Sequence, residues 1–303
     1  MAAGALPLLY YPLGQVQPDF GALEELEIHL FSKHLQFLDC RAAAEVAASL
    51  GFSGLDLTVR PGGHVEPHGV AEKLPEAIEA IENGGSHCSL ITTAVENAEN
   101  PVDVSLLKSA SSSGISQYRT NWFRYRESVS MKQSLETCRK QLSGLSALNK
   151  ELGLVGCYQN HAGKLIGASA WEVDAILANT DTDHFGVQYD IRHATVEGGL
   201  SWENGFRLLH KRIKCIVLKD FRWEKQQGRF IVVNTPIGEG MVDFTGFFKL
   251  IKANGIRVPA ILHLEYPLGG AEEGARELSI DKGIVFSAMK KDLEQLRELW
   301  ENA

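Results

Sequence analysis

The chain has 303 residues, of which 44% are hydrophobic and 22% charged, the composition of an ordinary globular protein that can bury a large core. Its net charge is −8 and it has no run of lysine or arginine, so a nucleic-acid-binding groove is not expected. The five cysteines are scattered without CxxC spacing, and those within apolar stretches (Cys88, Cys157 and Cys215) are expected to be buried free thiols.

The N-terminal segment is rich in small and apolar residues from Ala2 to Gly14. It resembles the second half of a secretory signal whose basic start is missing, and a packed or disordered arm is the alternative. The first interpretation predicts a periplasmic or exported protein and the second a cytoplasmic one. We therefore assign residues 1–26 to an N-terminal arm or remnant of an export signal, and residues 27–303 to one domain. No stretch is long and apolar enough to span a membrane.

Short apolar stretches alternate with longer amphipathic ones along the whole chain, which is typical of strands followed by helices. The stretches that predict strands are 28–34, 55–59, 87–93, 118–125, 154–160, 185–191, 213–219 and 259–266. Residues suited to begin helices stand at Asp39, Ser169, Ser201, Asp243 and Ser279. Eight strand–helix units of this length predict a single α/β domain, a (β/α)8 TIM barrel.

Three connections that follow strands are longer than a plain turn requires. They follow the second, sixth and seventh strands, at 61–70, 194–200 and 221–242. The catalytic face of such a barrel lies at the C-terminal ends of its strands. These connections are therefore expected to shape or cover a pocket.

Polar residues at the ends of the sixth and eighth strands are the first candidates for chemistry. Asp190 and His193 can place a metal ligand and a substrate contact on one rim, or can form a loop hydrogen bond. His263 and Glu265 alternate along a strand whose leucines suit the helix layer, so both are expected to face the barrel interior. A buried glutamate needs a cation or donor, so Glu265 is predicted to be a ligand or an acid/base group, with a structural ion pair as the alternative and His263 in support.

Lys219 and His161 stand at the ends of the seventh and fifth strands. Lys219 can stabilise an enolate or alkoxide oxygen, or it can form a salt bridge with Glu265. His161 precedes a tight exit turn from which its side chain can reach the pocket. The remaining candidates for substrate binding are His64 in a glycine turn, Glu239 between two glycines, Gln159, and the arginines Arg60, Arg192 and Arg222, although no phosphate motif is present.

These segments, in their order and spacing, resemble the sugar phosphate isomerase/epimerase family, the xylose isomerase-like TIM barrels. The resemblance covers nearly the whole chain. The segments that carry it are Ser32–Leu35, Asp56–His64, Asn160–Gly163, Tyr189–His193, Leu218–Asp220, Gly238–Asp243 and His263–Tyr266. It implies a divalent cation held by Glu, Asp, His and Glu from the fifth to eighth strands, and proton transfer next to a carbonyl.

The resemblance assigns Asp190 and Glu265 as metal ligands and His193 as a substrate contact. Gln159 stands where the family has Glu, and Val217 stands where it has His. Gln can offer a carbonyl oxygen to Mg²⁺ or Mn²⁺, but Val can offer nothing. The expected cofactor is therefore Mg, Mn or Zn, held with help from His161 or a water, or held weakly or not at all.

We accordingly predict an isomerase or epimerase that acts on a sugar or keto-sugar. Its catalytic residues would be Glu265, Lys219, His161 and His193, and its substrate-binding residues His64, Arg60, Gln159, Arg222, Glu239 and His263. A keto-sugar lyase or hydratase and an inactive sugar-binding barrel remain alternatives. A phosphodiesterase of the endonuclease IV type would need more His and acid ligands and a basic face. The expected partner is a small carbohydrate, and self-association is left open.

Overall fold

Residues 25–303 are described by a computed structural model, so the predicted arm or signal remnant lies almost wholly outside the described residues. Eight parallel strands close into a barrel, in which the last strand pairs with both the first and the seventh, as predicted. The barrel strands are β1 (Ile28–Phe31), β2 (Gly54–Val59), β3 (Leu90–Thr93), β4 (Gln117–Arg119), β5 (Val155–Gln159), β6 (Phe185–Asp190), β7 (Ile213–Leu218) and β10 (Ala260–Leu262). An antiparallel hairpin of β8 (Asp220–Gln226) and β9 (Arg229–Thr235) rises directly from β7.

Helices follow the barrel strands around the outside. They are α1 (Cys40–Leu50), α2 (Val70–Asn83), α3 (Pro101–Ser112), α4 (Met131–Leu152), α5 (Ala170–Leu177), α6 (Ile191–Gly198), α7 (Trp202–Leu209), α8 (Phe244–Ala253) and α9 (Lys282–Glu301). The predicted caps Asp39, Ser169 and Asp243 each accept a hydrogen bond from the first turn of their helix. Ser201 precedes α7 without such a bond, and the last helix begins after Asp281 rather than at Ser279.

The hydrophobic core has an outer part between strands and helices and a small inner part on the barrel axis. Phe31, Leu90, Cys157, Cys215 and Ile261 form the inner part. Side chains two residues further along each strand point the same way. Gln159, Val217 and His263 therefore face the interior, nearer the C-terminal mouth. All five cysteines are free, and the three within apolar stretches are buried as expected.

Three segments differ from the sequence prediction. Residues 194–200 were expected to form a long loop, but α6 begins immediately after β6 because Asp190 caps it. The fourth strand is only Gln117–Arg119, and segment 221–242 is mostly the β8–β9 hairpin. Within residues 25–303 no helix has both the length and the apolar character needed to cross a bilayer.

Candidate functional site

A buried lysine occupies the centre of the barrel mouth. Lys219 follows β7, and its Nζ lies 3.1 Å from Asp190 Oδ2 and 3.5 Å from Glu265 Oε1. The same atom lies 2.9 Å from His193 Nε2. Lys219, Asp190 and His193 are all 3% exposed or less. The two carboxylates compensate the buried ammonium, which would otherwise be costly to remove from water.

Asp190 is fixed from three directions. Its Oδ1 accepts from the backbone N of His193 at 2.9 Å, which begins α6, and its Oδ2 accepts from Gln159 Nε2 at 2.8 Å. Asn160 brackets the Asp190 backbone, because its Oδ1 accepts from the Asp190 N–H and its Nδ2 donates to the Asp190 carbonyl. With Lys219 added, the carboxylate is rigid and its acceptor sites are largely committed.

Glu265 is the more accessible carboxylate of the site, with 26% of its side chain exposed. Its Oε1 lies 3.6 Å from Lys33 Nζ and 3.5 Å from His263 Nδ1. Burial alone would raise the pKa of Glu265, but Lys219, the neighbouring His263 and Lys33 outweigh it and hold that pKa well below its usual range. His263 is stacked on Phe31, and burial lowers the pKa of His263 to about 4. Near neutral pH the pair is therefore an anionic carboxylate beside a neutral imidazole.

His193 lies between two cationic donors. Arg192 Nη1 is 2.9 Å from His193 Nδ1, opposite the contact with Lys219. Burial, then Lys219, His161 and Arg192, hold the pKa of His193 well below its usual value, so the ring is neutral. A neutral ring accepts at one nitrogen only, so it accepts from either Arg192 or Lys219. The hairpin residue Asn234 accepts from Arg192 Nη2 at 2.5 Å and donates to the Glu265 carbonyl at 3.0 Å.

His161 completes this side of the mouth from the end of β5. Its ring centroid lies 4.0 Å from that of His193 and 4.7 Å from that of Trp122. Its Nδ1 lies 2.9 Å from the Ala162 carbonyl, which can only accept, so Nδ1 carries the proton and Nε2 keeps a free lone pair. Burial, followed by Lys219, lowers the pKa of His161. His161 is half-buried and able to act as a base.

The opposite side of the mouth carries Asp56, Arg60 and Arg119, of which only Arg60 was singled out from the sequence. Asp56 accepts from Thr92 Oγ1 at 2.8 Å, and burial raises the pKa of Asp56 to about 6. The Arg119 guanidinium lies 4.0 Å from the Trp122 ring centroid and is 4% exposed. Burial, then Arg60, lowers the pKa of Arg119 to about 9, so it remains charged near neutral pH.

Three predicted substrate contacts do not join this cluster. His64 packs against its own strand, because its Nδ1 lies 3.1 Å from Thr58 Oγ1 and its backbone N–H donates to the same hydroxyl. Burial lowers the pKa of His64 to about 4. Arg222 is exposed on the hairpin and is paired with Glu224. Glu239 is exposed and pairs with Lys291 at 2.7 Å. The structure brings together Asp190, His193, Lys219, His161, His263, Glu265, Gln159 and Arg60.

The residues of the mouth fit a divalent cation poorly. Gln159 directs its amide N–H at Asp190, and Val217 offers no ligand atom. The Lys219 ammonium itself lies between the two carboxylates, where a bridging cation would otherwise lie. Among residues 25–303, one group of three candidate ligands lies within 4.8 Å of one another, Glu27, His29 and His87, at the other end of the barrel.

Comparisons with known proteins agree with the fold. The model of the xylose isomerase-like TIM barrel family matches residues 44–283. The structure of IOLI protein with a bound zinc atom is 12% identical, with 91% of this chain and 99% of that one covered, at a TM-score of 0.69.

Two further structures are similar over almost their whole length. The 3-keto-D-glucoside 4-epimerase YcjR from E. coli is 12% identical, with 90% of this chain and all of that chain (100%) covered, at a TM-score of 0.64. The probable 3-DHS dehydratase AsbF from Bacillus anthracis is 11% identical, with 89% and 98% covered, at a TM-score of 0.65. A search of the curated proteins gives no match. Identities this low support the fold alone.

Proposed function

Because the chain belongs to the xylose isomerase-like TIM barrel family, we propose that it is an isomerase or epimerase that transfers a proton next to the carbonyl of a sugar or keto-sugar. One observation carries the proposal. The Lys219 ammonium is buried at the mouth with Glu265 on one side and the His193–His161 pair on the other. An electrophile between two groups that can exchange protons is what enolisation of a carbonyl compound needs.

In this proposal Lys219 donates to the substrate carbonyl oxygen. When a proton leaves the neighbouring carbon, the electron pair of that C–H bond moves to the oxygen and forms an enolate. Lys219 stabilises the developing negative charge, and it is held in place by Asp190 before the reaction begins. This preorganisation places the ammonium where charge appears in the transition state, the condition under which such groups accelerate a reaction most.

Glu265 and His161 are the proposed acid/base groups. The Glu265 carboxylate is partly open to solvent and lies 3.5 Å from Lys219 Nζ, so it is placed to accept the proton. His161 stands at the end of β5, and because its Nδ1 lies against the Ala162 carbonyl, its Nε2 has a lone pair that can accept a proton. Return of the proton to the other face of the enolate gives an epimer, and its transfer to the neighbouring carbon with proton exchange between oxygens gives an isomer. His193 connects His161 to Lys219 and contacts the substrate.

The proposal takes no step through a metal ion, because the ammonium of Lys219 already supplies a positive charge at this position. The similar structures include one with zinc, and Mg, Mn or Zn remains the family's expected cofactor. In this chain, Gln159 and Val217 replace two of the ligands that the resemblance implies. Lys219 is the proposed replacement for the cation.

A lyase or hydratase is the second candidate, and the neighbouring imidazoles of His161 and His193 favour it. An enolate with a hydroxyl on the next carbon can expel that hydroxyl as water if an acid donates a proton to it. His161 and His193 lie 4.0 Å apart and supply a proton carrier besides Glu265. The similarity in fold to a probable dehydratase is consistent with this alternative.

The test is proton exchange with solvent. Keto-sugars would be incubated with the protein in D₂O, and deuterium at the carbon next to the carbonyl would be followed by NMR. Exchange that is lost in Lys219→Met and Glu265→Gln, and retained in the exposed control Lys211→Met, is the expected result. Loss of water from the substrate would point to the lyase. Binding without exchange across the panel would overturn the enzyme proposal in favour of a sugar-binding barrel.

A further inference from the structure

Two arginine side chains on the β2–β4 side of the mouth form no ion pair with a carboxylate within residues 25–303. Arg119 ends β4 and faces the interior, in register with Thr92 on β3 and Cys157 on β5. Among residues 25–303 its guanidinium donates no hydrogen bond, and Nη1 is fully buried without a partner. Buried polar atoms are nearly always paired, so an unpaired guanidinium N–H indicates an absent ligand or water.

Arg60 lies near Arg119 and is held in a similar way. Its guanidinium lies 5.6 Å from the Phe31 ring centroid, as that of Arg119 lies 4.0 Å from the Trp122 ring centroid. Arg60 also makes no side-chain hydrogen bond or ion pair with residues 25–303. An aromatic ring supports the face of a guanidinium and leaves its N–H edge free. Two such edges in one cavity can bind an oxyanion with paired, parallel hydrogen bonds.

Asp56 does not neutralise this pair by contact. Its Oδ2 accepts from Thr92, and its Oδ1 is buried without a partner. No ion pair within 4.0 Å joins Asp56 to either arginine. Arg60 stands two residues after Thr58, whose partner in register, Thr92, is in turn in register with Arg119. The two positive charges repel each other, and this repulsion contributes to the lowered pKa of Arg119. An anion between them would relieve that repulsion.

The charge of the whole mouth agrees with an anionic ligand. Five cationic side chains line it, namely Lys33, Arg60, Arg119, Arg192 and Lys219. Three carboxylates oppose them, Asp56, Asp190 and Glu265, which leaves a net charge of +2 with neutral imidazoles. The exposed Glu273 lies further out beside Lys33. The complete chain carries −8, so the mouth is a positive region on an acidic protein, which favours anions at this point.

We propose that the substrate is an anionic carbohydrate whose carboxylate or phosphate binds between Arg60 and Arg119 while its carbonyl faces Lys219. This inference rests on the proposed function, since it assigns the substrate class of the same site. Arg60 and Lys33 lie 5.6 and 5.7 Å from the same Phe31 ring centroid, and Lys33 Nζ lies 3.6 Å from Glu265 Oε1. Arg119 shares the Trp122 ring with His161, at 4.0 and 4.7 Å from its centroid, so the guanidinium pair borders the reacting groups. A single small molecule spans both. Keto-acids of sugars and phosphorylated keto-sugars have the required two ends.

The experiment is calorimetric titration with matched charged and uncharged probes. D-Gluconate and D-glucose 6-phosphate are compared with D-sorbitol and D-glucose near neutral pH. At least one anion is expected to bind, and its affinity should fall about 10- to 100-fold in Arg119→Gln. Preference for gluconate identifies a carboxylate, and preference for glucose 6-phosphate identifies a phosphate. The exposed Arg207→Gln removes the same charge from α7 and should bind like the wild type.

Two variants guard against a folding artefact. Arg119→Lys keeps the charge and should retain part of the affinity, and Asp56→Asn removes a competing negative charge and should bind the anion more tightly. Equal binding of charged and uncharged probes, or affinity unchanged in Arg119→Gln, would overturn the inference. If neutral keto-sugars exchange protons with solvent but no anion binds, the proposed function stands and this inference is wrong. If an anion binds at Arg119 but no substrate exchanges protons, the anion site stands and the proposed enzyme activity is wrong.

Discussion

Asp190 Oδ2 lies 3.1 Å from the Lys219 ammonium, and Asp190 Oδ1 caps the first turn of α6. One buried carboxylate therefore joins the charge at the barrel mouth to the start of a helix. The position of the ammonium is determined by backbone structure, since β6, β7 and α6 all contribute to it. Changing Lys219 is therefore expected to affect both the stability of the fold and the chemistry of the mouth.

Lys219→Met is expected to lower kcat by roughly 10²- to 10³-fold with a smaller change in KM, because the ammonium acts mainly on the transition state. It should also reduce stability, since Asp190 loses its buried partner. The double variant Lys219→Met/Asp190→Asn removes both charges and should regain stability without regaining turnover. Kinetics normalised to folded protein and denaturation curves separate the two effects. Normal kcat in a destabilised Lys219→Met would refute the catalytic role.

Lys219→Ala is expected to create a metal site. It leaves Asp190, Glu265, His193 and His263 around the vacated space, a set of donors suited to Zn²⁺ or Mn²⁺. Metal content after dialysis, measured by mass spectrometry, should be low in the wild type and higher in Lys219→Ala. Adding Asp190→Ala or Glu265→Ala should abolish the gain. A wild type that retains one metal per chain, lost in Asp190→Ala and Glu265→Ala, would show instead that both carboxylates are ligands beside Lys219.

Asp220→Asn is expected to destabilise the hairpin and the turn that follows it. The Asp220 carboxylate accepts four backbone N–H groups, from Phe221, Gly238, Gly240 and Val242. A Cβ at Gly240 would lie 2.2 Å from Asp220 Oδ1, so the glycine allows this close approach. The Nδ2 group of an asparagine is a donor and would face two of these backbone N–H groups. The free energy of unfolding should therefore fall by about 2–4 kcal/mol.

Chemical denaturation and limited proteolysis of the 236–242 segment measure the effect. Asp183→Asn, at an exposed aspartate, is the matched control. Equal stability of Asp220→Asn and the wild type would mean that the turn does not depend on the carboxylate.

The barrel and the inward direction of several site residues follow from the sequence because they depend on short-range periodicity. A period of two along β10 and β7 predicts that His263 and Glu265, and likewise Lys219 and Val217, share a face. Neighbouring parallel strands then bring these ends together. Contacts of this kind need no knowledge of register between distant strands.

The sequence does not predict Arg119 as a site residue, for two reasons. The fourth strand was expected at 118–125, which places Arg119 inside a strand rather than at its end. Its environment also depends on Asp56 and Trp122, which reach it through the register of β2, β3 and β4. No local pattern carries that information.

The start of α6 is marked in the sequence by the spacing of Asp190 and His193. His193 stands three positions after Asp190, the spacing at which a capping carboxylate accepts from the helix backbone. In the sequence the same spacing predicts either a metal ligand beside a substrate contact or a loop hydrogen bond, with a loop after the strand in both cases. The cap explains why α6 begins without a loop.

Asp292→Asn is expected to change how stability depends on pH. Asp292 on α9 is 1% exposed and accepts from Tyr266 Oη at 2.9 Å. Burial raises the pKa of Asp292 from 3.8 to about 6, against smaller opposing effects from Tyr266 and the Ile237 N–H. Between these two values the folded protein keeps a proton that the unfolded chain has lost, so the free energy of unfolding falls as pH rises through that window.

A pKa shift of this size lowers the free energy of unfolding by about 3 kcal/mol by neutral pH. Asparagine stays neutral, and it keeps both contacts when its Oδ1 accepts from the Ile237 N–H and its Nδ2 donates to Tyr266 Oη. Asp292→Asn should therefore lack the fall in the free energy of unfolding between pH 3.8 and about 6, and it should be more stable than the wild type near neutral pH. Asp56→Asn should do the same, because burial also raises the pKa of Asp56 to about 6. Urea denaturation at a series of pH values, with exposed Asp183→Asn as control, measures the slope. Identical slopes in Asp292→Asn and the wild type would show that this carboxyl titrates alike in the folded and unfolded chains.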